Sequence, residues 1–149
     1  MNINKVVVIG SGTMGSGIAA HLCNANIPVI LLDLKTEIAE KAKERIIKSR
    51  PPLLFDKTKI SSLKTGNISE NFDNVCDADW IIEAVVERID IKHNIYEKIF
   101  KNRKRGAIVS SNTSSIPIKV LSEKLSDEEK KDFCITHFFN PVRYMDLLE

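Results

Sequence analysis

The 149 residues suffice for one domain with a substantial core, and 43% hydrophobic with 28% charged residues are the proportions of a folded globular chain. A net charge of +2 is too small to mark a nucleic-acid binder, and no apolar run approaches the ~20 residues of a membrane span. Cys23, Cys76 and Cys134 are far apart and lack metal-ligand spacing, so neither a disulfide framework nor a metal site is expected; with no secretory pattern at the N-terminus, the expected compartment is the cytoplasm.

In chain order, the continuous apolar run Val6–Gly10 predicts a buried parallel strand. It leads into Gly10-Ser-Gly-Thr-Met-Gly15, then a helix over Met14–Asn26, then a strand over Pro28–Asp33. A Gly-x-Gly-x-x-Gly turn between a strand and a helix is the fingerprint of dinucleotide binding. Gly10 allows the tight turn, Gly12 lets the backbone approach a pyrophosphate, and Gly15 lets the helix pack on the strand. The helix aims its free N–H groups and positive dipole end at the phosphates. Asp33, 18 residues after Gly15, is placed to accept from a ribose 2′-hydroxyl and to repel a 2′-phosphate, which favours NAD over NADP. Lys35 is a nearby cation that weakens that preference.

A helix is predicted from Thr36 to about Lys48, with Ile38, Ala42, Ile46 and Ile47 as apolar positions, stopped by Pro51-Pro52. Short helices are expected at Asp56–Leu63 and Phe72–Val75, with a turn at Thr65-Gly66-Asn67. Asp79–Val85 reads as a buried strand, and Ile89–Lys101 as a helix with Ile91, Ile95, Ile99 and Phe100 facing the core. The basic cluster Lys101, Arg103, Lys104 and Arg105 suits the negative end of that helix dipole better than a phosphate rim. Gly106–Ser110 is a strand, Pro117–Leu125 a helix, Ser126–Lys130 a capped turn and Phe133–Phe138 a strand. Alternating strands and helices predict a Rossmann-type, doubly wound α/β domain with a mostly parallel sheet. Polar residues gather at the strand ends where such sheets bind ligands: Gly12, Asp33, Glu87, Asn112, Ser114, His137 and Asn140.

His137, just past the last strand, is either a structural histidine or a neutral base for a hydroxyl proton. Glu149 is the carboxylate to pair with its far nitrogen, although spacing alone does not show that contact. Ser114 reads either as a helix cap or as a hydroxyl that holds a substrate oxygen. Gly-x-Ser-x-Gly is absent, which argues against a serine nucleophile.

The chain resembles the NAD-binding domain of the 3-hydroxyacyl-CoA dehydrogenases, and most of all the bacterial multifunctional fatty-acid oxidation enzymes. The resemblance rests on the glycine turn, Glu83-Ala-Val-Val-Glu87 with Lys92, Ser111-Asn-Thr-Ser-Ser115, His137-Phe-Phe-Asn-Pro141 and Leu147-Leu-Glu149. It implies NAD as cofactor and reversible oxidation of an (S)-3-hydroxyacyl-CoA to a 3-ketoacyl-CoA in fatty-acid β-oxidation. By the same resemblance His137 is the base, Glu149 orients it, Ser114 contacts the substrate hydroxyl and Asn140 lies in the active site near the cofactor. Met14, Asp33, Glu87 and Lys92 are implied as NAD contacts, and Val85 and Val86 as backbone contacts. The family continues past the residue matched by Glu149 into a helical domain that completes the substrate cleft and makes the dimer. A chain of residues 1–149 is therefore expected to be an NAD-binding domain truncated at its C-terminus. It would be completed by a homodimer mate or a partner that supplies the remainder. The alternative expectation is an NAD-binding module without catalysis of its own.

Overall fold

Four consecutive apolar side chains, Val6 to Ile9, form strand β1 (Val6–Ile9), and none is reached by solvent in the computed structural model, which describes residues 2–149. Burying each such side chain contributes roughly 1.5–3 kcal/mol, so β1 is the natural centre of the sheet. The other strands are β2 (Val29–Asp33), β3 (Leu63–Asn67), β4 (Trp80–Glu83), β5 (Ile108–Ser111) and β6 (Phe133–Ile135). Their order is β3-β2-β1-β4-β5-β6, and every ladder is parallel. The α-helices among the described residues are α1 (Thr13–Asn24), α2 (Thr36–Lys48), α3 (Ile89–Asn102), α4 (Ile118–Leu121) and α5 (Asp127–Lys130). None of the described helices is long and apolar enough to cross a membrane.

Alternation along β1 splits the core in two. Val6 and Val8 pack with Ile18 of α1 and Ala42 and Ile46 of α2. Val7 and Ile9 pack with Ile95, Tyr96 and Ile99 of α3 and Leu121 of α4. Helices thus cover both faces, as the alternating pattern predicted. After β2 and β3 the chain returns to the other side of β1, so the strand order switches between β1 and β4, where ligands of such sheets bind.

Strand β3 was expected as a turn. Its Lys64, Thr65 and Asn67 carry no hydrophobic signal because β3 is an edge strand, held by pairing with β2 from Val29–Leu63 to Asp33–Asn67. Gly66 sits there because the Asn71 side chain fills the space: a Cβ would lie 2.6 Å from Asn71 Oδ1, which accepts from Asn67 N. Helix α4 is one turn rather than the longer helix expected to Leu125. The capped turn is present as a full capping box between Ser126 and Glu129. Of the apolar positions predicted on α2 and α3, Ile38 is exposed and Ile91 is half-buried against the core, and both line a large cleft.

Candidate active site

The cleft, of about 720 Å³, opens at the carboxyl ends of β1, β2, β4 and β5, and that volume suits a small-molecule site. The glycine turn forms its floor. Gly10 has φ +101°, and a Cβ on it would sit 2.5 Å from the Ala84 carbonyl oxygen. A Cβ on Gly15 would sit 1.9 Å from the Gly10 carbonyl oxygen. These two glycines are packing requirements where β1, β4 and α1 meet. Gly12 differs: a Cβ there meets nothing within 4 Å, and the residue faces the cleft. It caps α1 without a side-chain hydrogen bond, so the first-turn N–H groups are free for an anion. Gly15→Ala should destabilise the fold by at least the roughly 1–3 kcal/mol of an overpacked core, read as a lowered midpoint of thermal unfolding.

Asp33 lies at the end of β2 and lines the cleft. Its Oδ2 accepts from Ser11 N at 2.7 Å and Ser11 Oγ at 2.6 Å, and its Oδ1 accepts from Leu34 N at 2.7 Å. A carboxylate offers about four acceptor positions, so roughly one stays open. Lys35 is not among the lining residues; the cation at this end is Arg45, whose Nη2 donates to the Ser11 carbonyl at 3.0 Å. Arg45 was not anticipated. Its signal was its spacing, since it stands seven positions after Ile38, which puts both on one face of α2.

Met14, Val85, Val86, Glu87, Asn112, Ser114, His137 and Asn140 all line the same cleft. Val85 N is committed to Glu83 Oε1 at 2.8 Å, and Val86 is 61% exposed. Asn112 Oδ1 accepts from Phe138 N at 2.9 Å, which ties the end of β5 to the segment after β6. The Lys92 side chain is wholly buried and is not among the residues that line the cleft. Its Nζ lies 2.7 Å from Glu83 Oε1 and 3.0 Å from Glu87 Oε2. The basic cluster is also remote, with Arg103 paired to Asp132 and Lys104 to Asp79 before β4. The phosphate-rim reading is thereby set aside in favour of the helix-end one.

Beside the cleft, Ser114 Oγ lies 3.1 Å from His137 Nε2. On the other side of the ring, His137 Nδ1 lies 3.6 Å from Glu149 Oε2, close for an ion pair but long for a hydrogen bond. The backbone brings that carboxylate there: His137 N donates to Glu149 O at 2.7 Å, Glu149 N donates to His137 O at 3.2 Å, and Phe138 and Leu148 form an antiparallel bridge. Phe139 packs on the imidazole at 4.5 Å between ring centres. With the proton on Nδ1 facing the carboxylate, Nε2 is an acceptor for the Ser114 hydroxyl.

Glu87 Oε1 accepts from Thr113 Oγ1 at 2.8 Å and Ser114 N at 2.9 Å. Burial opposes its ionisation, but these bonds and Lys92 outweigh burial and hold its carboxyl below the usual glutamate range. A lowered folded pKa means a contribution present above the unfolded value and lost as pH falls through the folded one. Acidification below the ordinary carboxylate range should therefore loosen the Thr113–Ser114 turn, seen as a shift of the Ser114 amide resonance that follows Glu87 protonation.

The family model for the NAD-binding domain of 3-hydroxyacyl-CoA dehydrogenase matches residues 5–149. The chain belongs to this family. It is 46% identical to a putative fatty acid oxidation complex trifunctional enzyme of Rickettsia felis, covering 99% of this chain and 21% of that protein. It is 41% identical to a probable 3-hydroxyacyl-CoA dehydrogenase of Deinococcus radiodurans, covering 100% of this chain and 45% of that one. The crystal structure of 3-hydroxybutyryl-CoA dehydrogenase from Escherichia coli K12 superposes with a TM-score of 0.86 at 29% identity, over 99% of this chain and 32% of that one. The chain thus spans less than half the length of each of these relatives. NAD is the cofactor of the domain, and the open face of Gly12, the uncapped start of α1 and Asp33 fit it.

Proposed function

We propose that this chain carries the dehydrogenase chemistry of its family, the oxidation of an (S)-3-hydroxyacyl-CoA to the 3-ketoacyl-CoA with NAD as acceptor. One observation carries the reading: an imidazole whose two nitrogens face a serine hydroxyl and a carboxylate, at the wall of the cleft that suits NAD. NAD, when bound, supplies the hydride acceptor. His137 Nε2 takes the proton of the substrate hydroxyl as general base. Ser114 holds that hydroxyl against Nε2, and Asn140 binds beside it. Glu149 keeps the Nδ1–H tautomer and stabilises the imidazolium that forms. The part of the longer relatives outside the matched region would extend the substrate side, by covalent continuation or as a partner. The test is acetoacetyl-CoA-dependent oxidation of NADH by the protein. Turnover supports the reading, and NADH binding without turnover supports a cofactor module only.

Asp33 sets the cofactor preference in this reading, because Arg45 at the same end of the cleft would otherwise welcome a 2′-phosphate. Asp33→Ala should erode the NADH over NADPH ratio of dissociation constants by roughly 10- to 100-fold, the worth of a hydrogen bond to a charged group. An unchanged ratio would remove Asp33 from this role.

A further inference from the structure

Glu83 ends β4 with no solvent access, and the mechanism above does not use it. Its carboxylate has four donors. Oε1 accepts from Lys92 Nζ at 2.7 Å and Val85 N at 2.8 Å, and Oε2 accepts from Tyr96 OH and Ser111 Oγ, each at 2.6 Å. Burial, reinforced by the Glu83 anion, pushes the Tyr96 hydroxyl well above its ordinary range, so it stays a donor. Lys92 is equally buried, and its ammonium bridges Glu83 to Glu87. Glu87 is the one member of this trio that faces the cleft, with its side chain 41% exposed. Its other oxygen holds Thr113 Oγ1 and Ser114 N, and the Ser114 hydroxyl meets His137. An unbroken series of polar contacts thus runs from the core under α3 to the imidazole.

Stability alone is a weak reason for a buried ion pair, since the desolvation of both charges offsets most of their attraction and an uncharged pair of the same shape serves as well. Of the groups the pair holds, Glu87 is the one that leads on to Ser114 and His137. We propose that the buried Glu83–Lys92 pair is a positioning device for the reaction centre: it fixes Glu87, which clamps the Thr113–Ser114 turn and so aims the Ser114 hydroxyl at His137 Nε2. Glu83 and Lys92 touch neither substrate nor cofactor; they act through Glu87. The inference rests on the functional reading above for its purpose, but its geometry is tested without turnover.

The double variant Glu83→Gln/Lys92→Met removes both charges and keeps the volumes, so the core has no lone ion. In the 149-residue protein labelled with nitrogen-15, the readouts are the Ser114 amide resonance, the His137 ring-nitrogen shifts and the midpoint of thermal unfolding. The expected result is an unfolding midpoint near that of the parent, with the Ser114 amide moved upfield and the His137 ring nitrogens shifted toward a mixture of tautomers. A folded double variant with both signals unmoved would overturn the proposal, because a pair that merely fills the core is fully replaced by its neutral equivalent. Should the double variant not fold, Glu87→Gln at the exposed end reports on the same coupling. The Ser114, His137 and Lys92 ammonium signals should then shift together, and a fixed Lys92 or His137 signal would overturn it. Failure of the functional reading appears separately, as absent NADH oxidation in the parent protein.

Discussion

Replacing His137 by alanine should lower acetoacetyl-CoA-dependent NADH oxidation by roughly 10²–10⁴-fold, the contribution of a positioned general base, while NADH affinity changes little. The separation follows from where the ring sits. His137 lines the cleft beside Ser114 and Glu149, whereas the proposed dinucleotide cradle, the glycine turn and the start of α1, lies on the other side of the strand-order switch. The fold should survive, because β6 and the segment after it are held by backbone bonds from Thr136 N to Ser111 O and between His137 and Glu149, and by Asn112 Oδ1 on Phe138 N. The ring itself is partly exposed, so its loss leaves no large cavity. Loss of NADH binding as severe as the loss of turnover would make His137 a structural residue.

Gly12→Val should do the reverse. The site has open space where a side chain would start, so the variant folds with nearly the parent's unfolding midpoint. That space is where a pyrophosphate must reach the free N–H groups of α1. A branched side chain there blocks the approach, and NADH affinity should fall by at least about 100-fold, which is roughly 2.7 kcal/mol. The contrast with Gly15→Ala is sharp: Gly12 has open space beside it, whereas a Cβ on Gly15 would lie 1.9 Å from the Gly10 carbonyl oxygen. A Gly12→Val protein that binds NADH as tightly as the parent would place the cofactor elsewhere.

Much of the site was legible because local sequence encodes it. The glycine turn, the strands flanking it and Asp33 are contiguous, and their hydrophobic periods announce them. The Ser114 and His137 blocks follow apolar strands, so a parallel sheet must bring them to one edge. Other features are set by contacts between distant segments. Glu149 reaches His137 through an antiparallel pairing of the last residues with the segment after β6, which no spacing rule foretells. Lys92 enters the sequence reading only through the family resemblance, as an NAD contact, and only the packing of α3 over β4 buries it against Glu83. Ile38 and Ile91 fit the helical period of the core yet line the cleft, since period marks a face and not what covers it. Strand β3 has no apolar alternation to read because its register comes from β2.

The most direct test adds acetoacetyl-CoA to the NADH-saturated protein, parent and His137→Ala side by side, and follows loss of NADH. Oxidation by the parent and essentially none by the variant is expected, with NADH bound equally by both. Equal oxidation by the two proteins, or none by a parent that holds NADH, would contradict it.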